Sequence, residues 1–279
     1  MRNCLFIIFS TVLFFGLSSC TQTAKTQNAL PSPLPDSLLR REKEYTSLEE
    51  ALAAPEKVYM LDLKGQGLRE LPESIGRLKY LQHLTLSENH LKRLPDSLVM
   101  LKNLQMVLLN DNQGLDTEST FQFLAKLPNL RTISLKNADL NYLPGDVKEI
   151  DQILLLDLAG NPKINIKDVI KFLYNKKNLA YLNLGHNRLE TLPKEMRKFN
   201  QVIGIYLDHN LLKTLPSVIT EMTQIAVLDL RSNQITHLPK SIKNLKKLEL
   251  LLLKDNPIPV YELAKIREWL PNTEIVLDY

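Results

Sequence analysis

The sequence is poor in cysteine, glycine, aromatic side chains and net charge, and each shortage removes a class of protein. Of 279 residues only Cys4 and Cys20 are cysteines, so no disulfide framework staples the chain and its body offers no thiol nucleophile. Nine glycines, none set in a phosphate-cradling loop, remove the nucleotide-binding motifs. No HExxH stands in the chain, and no Ser-His-Asp set has a defensible spacing. A formal charge of +4, with acids and bases interspersed, gives no basic tract for nucleic acid. An enzyme reading therefore finds no residues to stand on, and no cofactor is implied. The longest apolar run, Leu5 to Leu17, is broken by Ser10, Thr11 and Gly16 and falls short of the roughly 20 residues that span a bilayer.

What the chain has instead is leucine at a fixed period. In residues 179 to 201, Leu179, Leu182, Leu184, Asn187, Leu189 and Leu192-Pro193 spell LxxLxLxxNxLxxLP, and most of the chain restates it. Units begin at Val58, Leu81, Leu104, Leu130, Ile153, Leu179, Val202, Ile225 and Leu248, spaced by 23 residues except for two intervals of 26. The alternation in Tyr181-Leu182-Asn183-Leu184 predicts a short strand with leucines on one side, and one such strand per unit predicts a continuous parallel sheet. No single unit can bury its own leucines, so the array folds as a stack. Seven asparagines, Asn89, Asn112, Asn161, Asn187, Asn210, Asn233 and Asn256, mark where the chain leaves each strand. Their amides are expected to satisfy buried backbone and one another as a ladder. Gln66 keeps the amide in the first unit, whereas Ala138 lacks it and predicts a gap costing ~1–3 kcal/mol. Pro72, Pro95, Pro144, Pro193, Pro216 and Pro239 suit an extended return path. The 26-residue units carry helical apolar spacing from Ser119 and from Ile166 in place of the leucine-proline step.

These motifs resemble the leucine-rich repeat family in its 23-residue LxxLxLxxNxLxxLPxxI form, over about residues 58 to 279. The reading is an α/β solenoid, a horseshoe with one parallel sheet on its concave face and short helices and extended segments on its convex face. Residues 36 to 57 are expected to form a helical N-terminal cap, built on the capping box Ser47-Leu48-Glu49-Glu50 and stopped at Pro55. The repeats fill 58 to 257. Residues 258 to 279 predict a helix-strand C-terminal cap carrying Ile266 and Trp269.

The beginning of the chain is of another kind. Arg2, the apolar run and the small residues Ser18 and Ser19 read as a signal peptide over 1 to 19. Leu17-Ser18-Ser19-Cys20 resembles the lipobox of bacterial lipoproteins, which implies a diacylglycerol and acyl (palmitate-type) modification of Cys20 and a membrane anchor. An ordinary secretory signal with an incidental cysteine is the other reading. Residues 20 to 35 then form the lipidated cysteine and a polar, proline-bearing tether. Without an acidic residue after Cys20, lipoprotein sorting by resemblance implies the outer rather than the inner membrane of a bacterial cell envelope.

Function falls to the positions the motif leaves free. Tyr181, Asn183, Tyr206, Asp208, Asp229 and Arg231 are expected as exposed side chains on the concave sheet, with tyrosine and arginine as favoured anchors. The expected partner is a protein or a glycan held by a monomer, the membrane being reached through lipid. A structural spacer with no ligand on the sheet is the alternative. His186 and His209 share one repeat position, with Asp208 adjacent, and two imidazoles with a carboxylate can bind zinc. Glu88, Asp111, Ser232 and Asp255 hold the same slot, so it reads as merely polar and no metal is assigned.

Overall fold

The structure, a computed structural model, describes residues 33–277. Cys20, the signal segment and most of the tether lie outside the described residues. Eleven strands form one sheet in chain order. They are β1 (Glu44–Tyr45), β2 (Met60–Asp62), β3 (His83–Thr85), β4 (Met106–Leu108), β5 (Thr132–Ser134), β6 (Leu155–Asp157), β7 (Tyr181–Asn183), β8 (Gly204–Tyr206), β9 (Val227–Asp229), β10 (Leu250–Leu252) and β11 (Glu274–Val276). Every pairing is parallel, and the register aligns Asp62, Thr85, Leu108, Ser134, Asp157, Asn183, Tyr206, Asp229, Leu252 and Val276 in one row across the sheet.

The middle residue of each strand from Leu61 to Leu251 is buried, and the leucines that follow, such as Leu86, Leu184 and Leu230, are equally inaccessible. These side chains form one continuous core along the stack rather than separate pockets. On the return side, proline opens a five-residue 3-10 turn at Glu73–Arg77, Asp96–Met100, Gly145–Glu149, Lys194–Lys198, Ser217–Glu221 and Lys240–Asn244. The two longer units place α-helices there instead, at Thr117–Leu124 and Ile166–Leu173. Asp116 caps the first by accepting from the Ser119 amide, and Asn165 caps the second by accepting from the Lys167 amide.

The asparagines act on buried backbone as expected. Neighbouring copies meet through main-chain amide and side-chain oxygen, Asn161 N–H on Asn187 Oδ1 at 2.6 Å and Asn187 N–H on Asn210 Oδ1 at 3.0 Å, rather than through amide-to-amide side-chain bonds. Asn112 Nδ2 donates to the carbonyls of Leu109 at 3.1 Å and of Leu86, one layer back, at 2.9 Å, while its Oδ1 accepts from the Leu91 amide at 3.1 Å. Asn89, Asn210, Asn233 and Asn256 repeat that pattern. The expected gap at Ala138 is also closed. The Leu135 carbonyl takes its donor from Asn161 Nδ2 at 3.0 Å, and the Ala138 amide donates to Asn161 Oδ1 at 3.1 Å. Gln66 uses its amide against the Thr46 carbonyl at 2.7 Å, which ties the first repeat to the N-terminal cap.

Both ends differ in detail from expectation. The Ser47 hydroxyl accepts from the Glu50 amide at 3.3 Å, but the Glu50 carboxylate pairs with Lys43 instead of reaching back, and β1 adds a strand to a cap read as purely helical. The C-terminal helix Val260–Trp269 fully buries Ile266 alone, keeps Trp269 at its edge and leaves Val260 and Tyr261 outside, while β11 extends the sheet. Among the described residues no helix is long and apolar enough to cross a membrane.

Candidate functional site

The row of residues at the strand ends was expected to be exposed, and its centre is not. Ser134, Asp157, Asn183, Tyr206 and Asp229 are all buried, as is Asp208 just beyond β8. The parallel register sets these side chains about 4.8 Å apart, so each one covers the next. Several also serve the backbone. Asp62, Asp157, Asn183 and Asp229 each accept, through Oδ1, the amide two residues on, at 2.8, 3.0, 2.9 and 3.1 Å respectively. An Asp or Asn at the strand end thus satisfies an amide where the ladder stops, which is a structural reason for the residue type.

Burial and pairing set the charges. Arg231 closes on Asp229 with Nε at 2.9 Å from Oδ1 and Nη2 at 2.5 Å from Oδ2, a forked contact that suits a buried carboxylate. Desolvation still raises the Asp229 proton affinity, with the guanidinium opposing it. Asp157 is pushed up to about 6 by burial, against the hydrogen bonds from the Ala159 amide and the Ser134 hydroxyl. Tyr206 is raised as well, chiefly by burial and then by neighbouring Tyr181 and Asp229.

Two glycines missed by the sequence reading make room for this surface. A Cβ at Gly204 would lie 2.6 Å from Tyr181 Cδ1, and one at Gly185 would lie 2.5 Å from Asp208 Oδ1. The signal was a glycine inside a strand or at its exit, in a chain with nine glycines altogether. With the ring of Tyr181 seated over Gly204, β7 to β9 present a half-buried tyrosine, the Arg231–Asp229 pair and a partly exposed Ile203.

At the exit of β7 and β8 a second group assembles. His186 and His209 stack with ring centroids 4.0 Å apart and planes 12° from parallel. His209 Nδ1 lies 2.9 Å and His186 Nε2 lies 3.5 Å from Asp208 Oδ2. Burial is the main cause that lowers the His186 proton affinity, followed by His209, while Asp208 opposes and Lys136 adds to the lowering. The slot itself has a backbone requirement. Glu88, Asp111, Asn137, His186, His209, Ser232 and Asp255 all have φ between 51° and 58°, and Gly65 and Gly160 fill it in the other units. The sequence thus placed all six concave candidates and the histidine pair in one region, over β7 to β9, but mistook the buried ones for exposed.

A family model described as leucine rich repeat matches residues 56–113 and 204–258. A search of curated proteins returns no match. Among solved structures the chain is similar to an internalin (inlF) of Listeria monocytogenes, with 23% identity and a TM-score of 0.59 over 82% of this chain and 63% of that one. It is similar also to human 5T4 (Wnt-activated inhibitory factor 1, trophoblast glycoprotein), with 21% identity and a TM-score of 0.59 over 77% of this chain and 84% of that one. An internalin C2 (inlC2) of L. monocytogenes matches at 22% identity with a TM-score of 0.54, over 75% of this chain and 84% of its own length. These likenesses show the fold. The chain spans just under two thirds of the internalin (inlF).

Proposed function

We propose, from the premise that the chain is a leucine-rich repeat protein, that it is a binding module holding a protein partner on the concave surface of β7 to β9. Folds of this kind commonly mediate protein–protein interaction. The observation that carries the reading is the seating of Tyr181 over Gly204. A large amphipathic ring is held in one place on a rigid sheet, with Ile203, the chain neighbour of Gly204, partly exposed near it, so little ordering cost remains on binding. Tyr206, Asn183, Asp208 and Asp229 support that surface from beneath rather than making its outermost contacts. A glycan is the second ligand class the tyrosine and the acid-base pair suit. No catalytic role is proposed.

The position of the module is part of the proposal. Arg2, the apolar run and Leu17-Ser18-Ser19-Cys20 support a lipoprotein anchored through acylated Cys20 to a bacterial cell envelope, with the outer membrane favoured because Thr21 follows the cysteine. A polar tether then sets a monomeric horseshoe off the bilayer. The spacer reading is favoured by one observation: the strand-end acids and amides are satisfied within the sheet itself. Affinity capture with the wild-type chain and with Tyr181→Ala/Ile203→Ser separates the two. A binding module loses a discrete partner in the double variant, and a spacer captures the same set with either chain.

A further inference from the structure

The geometry points to a divalent transition-metal site of the zinc class, formed by His186, Asp208 and His209 at the exit of β7 and β8. Among the described residues these three are the one group of three or more histidine, cysteine or acidic side chains whose ligand atoms gather within 4.8 Å of one another. Zinc binds imidazole nitrogen and carboxylate oxygen at about 2.0–2.2 Å, so two ligand atoms in a tetrahedral shell lie about 3.3 Å apart. The distances from Asp208 Oδ2, 2.9 Å to His209 and 3.5 Å to His186, bracket that edge.

The fold brings the three together by its own period. His186 and His209 occupy the same slot in adjacent layers, and their backbones are locked to the sheet by the His186 amide on the Asp208 carbonyl at 2.8 Å and the His209 amide on the Arg231 carbonyl at 2.8 Å. Gly185 leaves the space that the Asp208 carboxylate fills, so the acid lies against the edges of both stacked rings, within 3.5 Å of a nitrogen of each. Elsewhere the left-handed slot is held by Gly, Asp, Glu, Asn and Ser, and only here do two consecutive units place imidazole in it.

The donor set selects the metal. Two imidazoles with one carboxylate match zinc-class ions, whereas calcium and magnesium require a shell of oxygens. Imidazole ligates only when neutral, so a metal competes with protons for both rings. The nearby Lys136 ammonium opposes a bound cation. Binding must open the stacked rings so that both lone pairs converge in plane, a rotation about the broad χ2 torsion of histidine. Side chains of His186 and His209 are 42% and 50% exposed, so the fourth position of the shell faces solvent, where water or a group from a partner completes it.

Calorimetric titration of the full chain with zinc chloride at neutral pH tests the site, followed by cobalt(II) for its visible absorption. The expected result is saturable binding of one zinc per chain, a cobalt spectrum of tetrahedral type and a rise in the thermal midpoint with zinc. His186→Gln and His209→Gln change partly exposed side chains, and each should weaken binding by at least about tenfold while the metal-free melting curve stays in place. The absence of saturable zinc binding to the wild-type chain overturns the site. So does an unchanged affinity in the chain carrying both His186→Gln and His209→Gln.

Discussion

The ring of Tyr181 occupies the volume that its register partner Gly204 leaves empty on the neighbouring strand, with Cδ1 only 2.6 Å from where a Cβ at 204 would stand. The tyrosine is therefore held by a residue with no side chain, and its position depends on that absence. Gly204→Ala should displace the ring and cost about 1–3 kcal/mol by urea unfolding, as an overpacked contact does. In a double-mutant cycle Tyr181→Ala should recover most of that loss, because the methyl group then meets only Tyr206 Cε2 at an ordinary 3.7 Å. Additive losses would mean that strain in the strand, not the ring, sets the cost.

Asp157 carries a stability cost that pH can reveal. Its proton affinity, raised to about 6 from the ordinary 3.8, is higher in the fold than in the unfolded chain. The penalty is then absent below the unfolded value, grows as pH rises through 3.8 to 6, and is complete above that. Asp157→Asn keeps an acceptor for the Ala159 amide and removes the charge, so it should stabilise the protein by up to about 3 kcal/mol at pH 7 and by little at pH 4. Denaturant melts of both chains at the two pH values check it. Taking the difference between them cancels His83, whose proton affinity burial lowers to about 4 and whose own penalty appears as pH falls.

The repeat frame was legible in the sequence because each of its parts is local. Alternating leucine, an asparagine at the strand exit and a proline on the return fix strand, turn and return path without reference to a neighbour, and the 23-residue period then fixes the register that aligns Asp157 with Asn183 and Tyr206. What was not legible depends on the adjacent layer. Tyr206 and Asp229 alternate with leucine as exposed residues do, yet neighbours at the strand spacing cover them. The importance of Gly185 and Gly204 lies wholly in which side chains stand beside them. Ala138 misled for the same reason, since Asn161 in the next unit serves the backbone it leaves.

The two asparagine-column positions give opposite predictions. Asn112→Ala leaves the Leu91 amide without its acceptor and removes a donor from the carbonyls of Leu86 and Leu109, so a loss of about 3 kcal/mol is expected. Ala138→Asn should gain less than about 0.5 kcal/mol, because the Leu135 carbonyl already has a donor. Urea midpoints at constant m-value measure both.

Lipid attachment is tested apart from the fold. Cys20→Ala should move the protein from the membrane pellet to the soluble fraction of disrupted cells without changing its urea midpoint. A variant that stays in the pellet after a salt wash would count against the lipobox reading.

The central claim is that a partner docks on the sheet over Tyr181, and a photo-crosslinking amino acid in living cells tests it most directly. Placed at 181 on the concave surface, it should yield one discrete crosslinked species that is missing when the same residue replaces Tyr174, exposed at the end of the convex helix Ile166–Leu173. No product from 181, or the same products from both positions, would contradict a concave binding site.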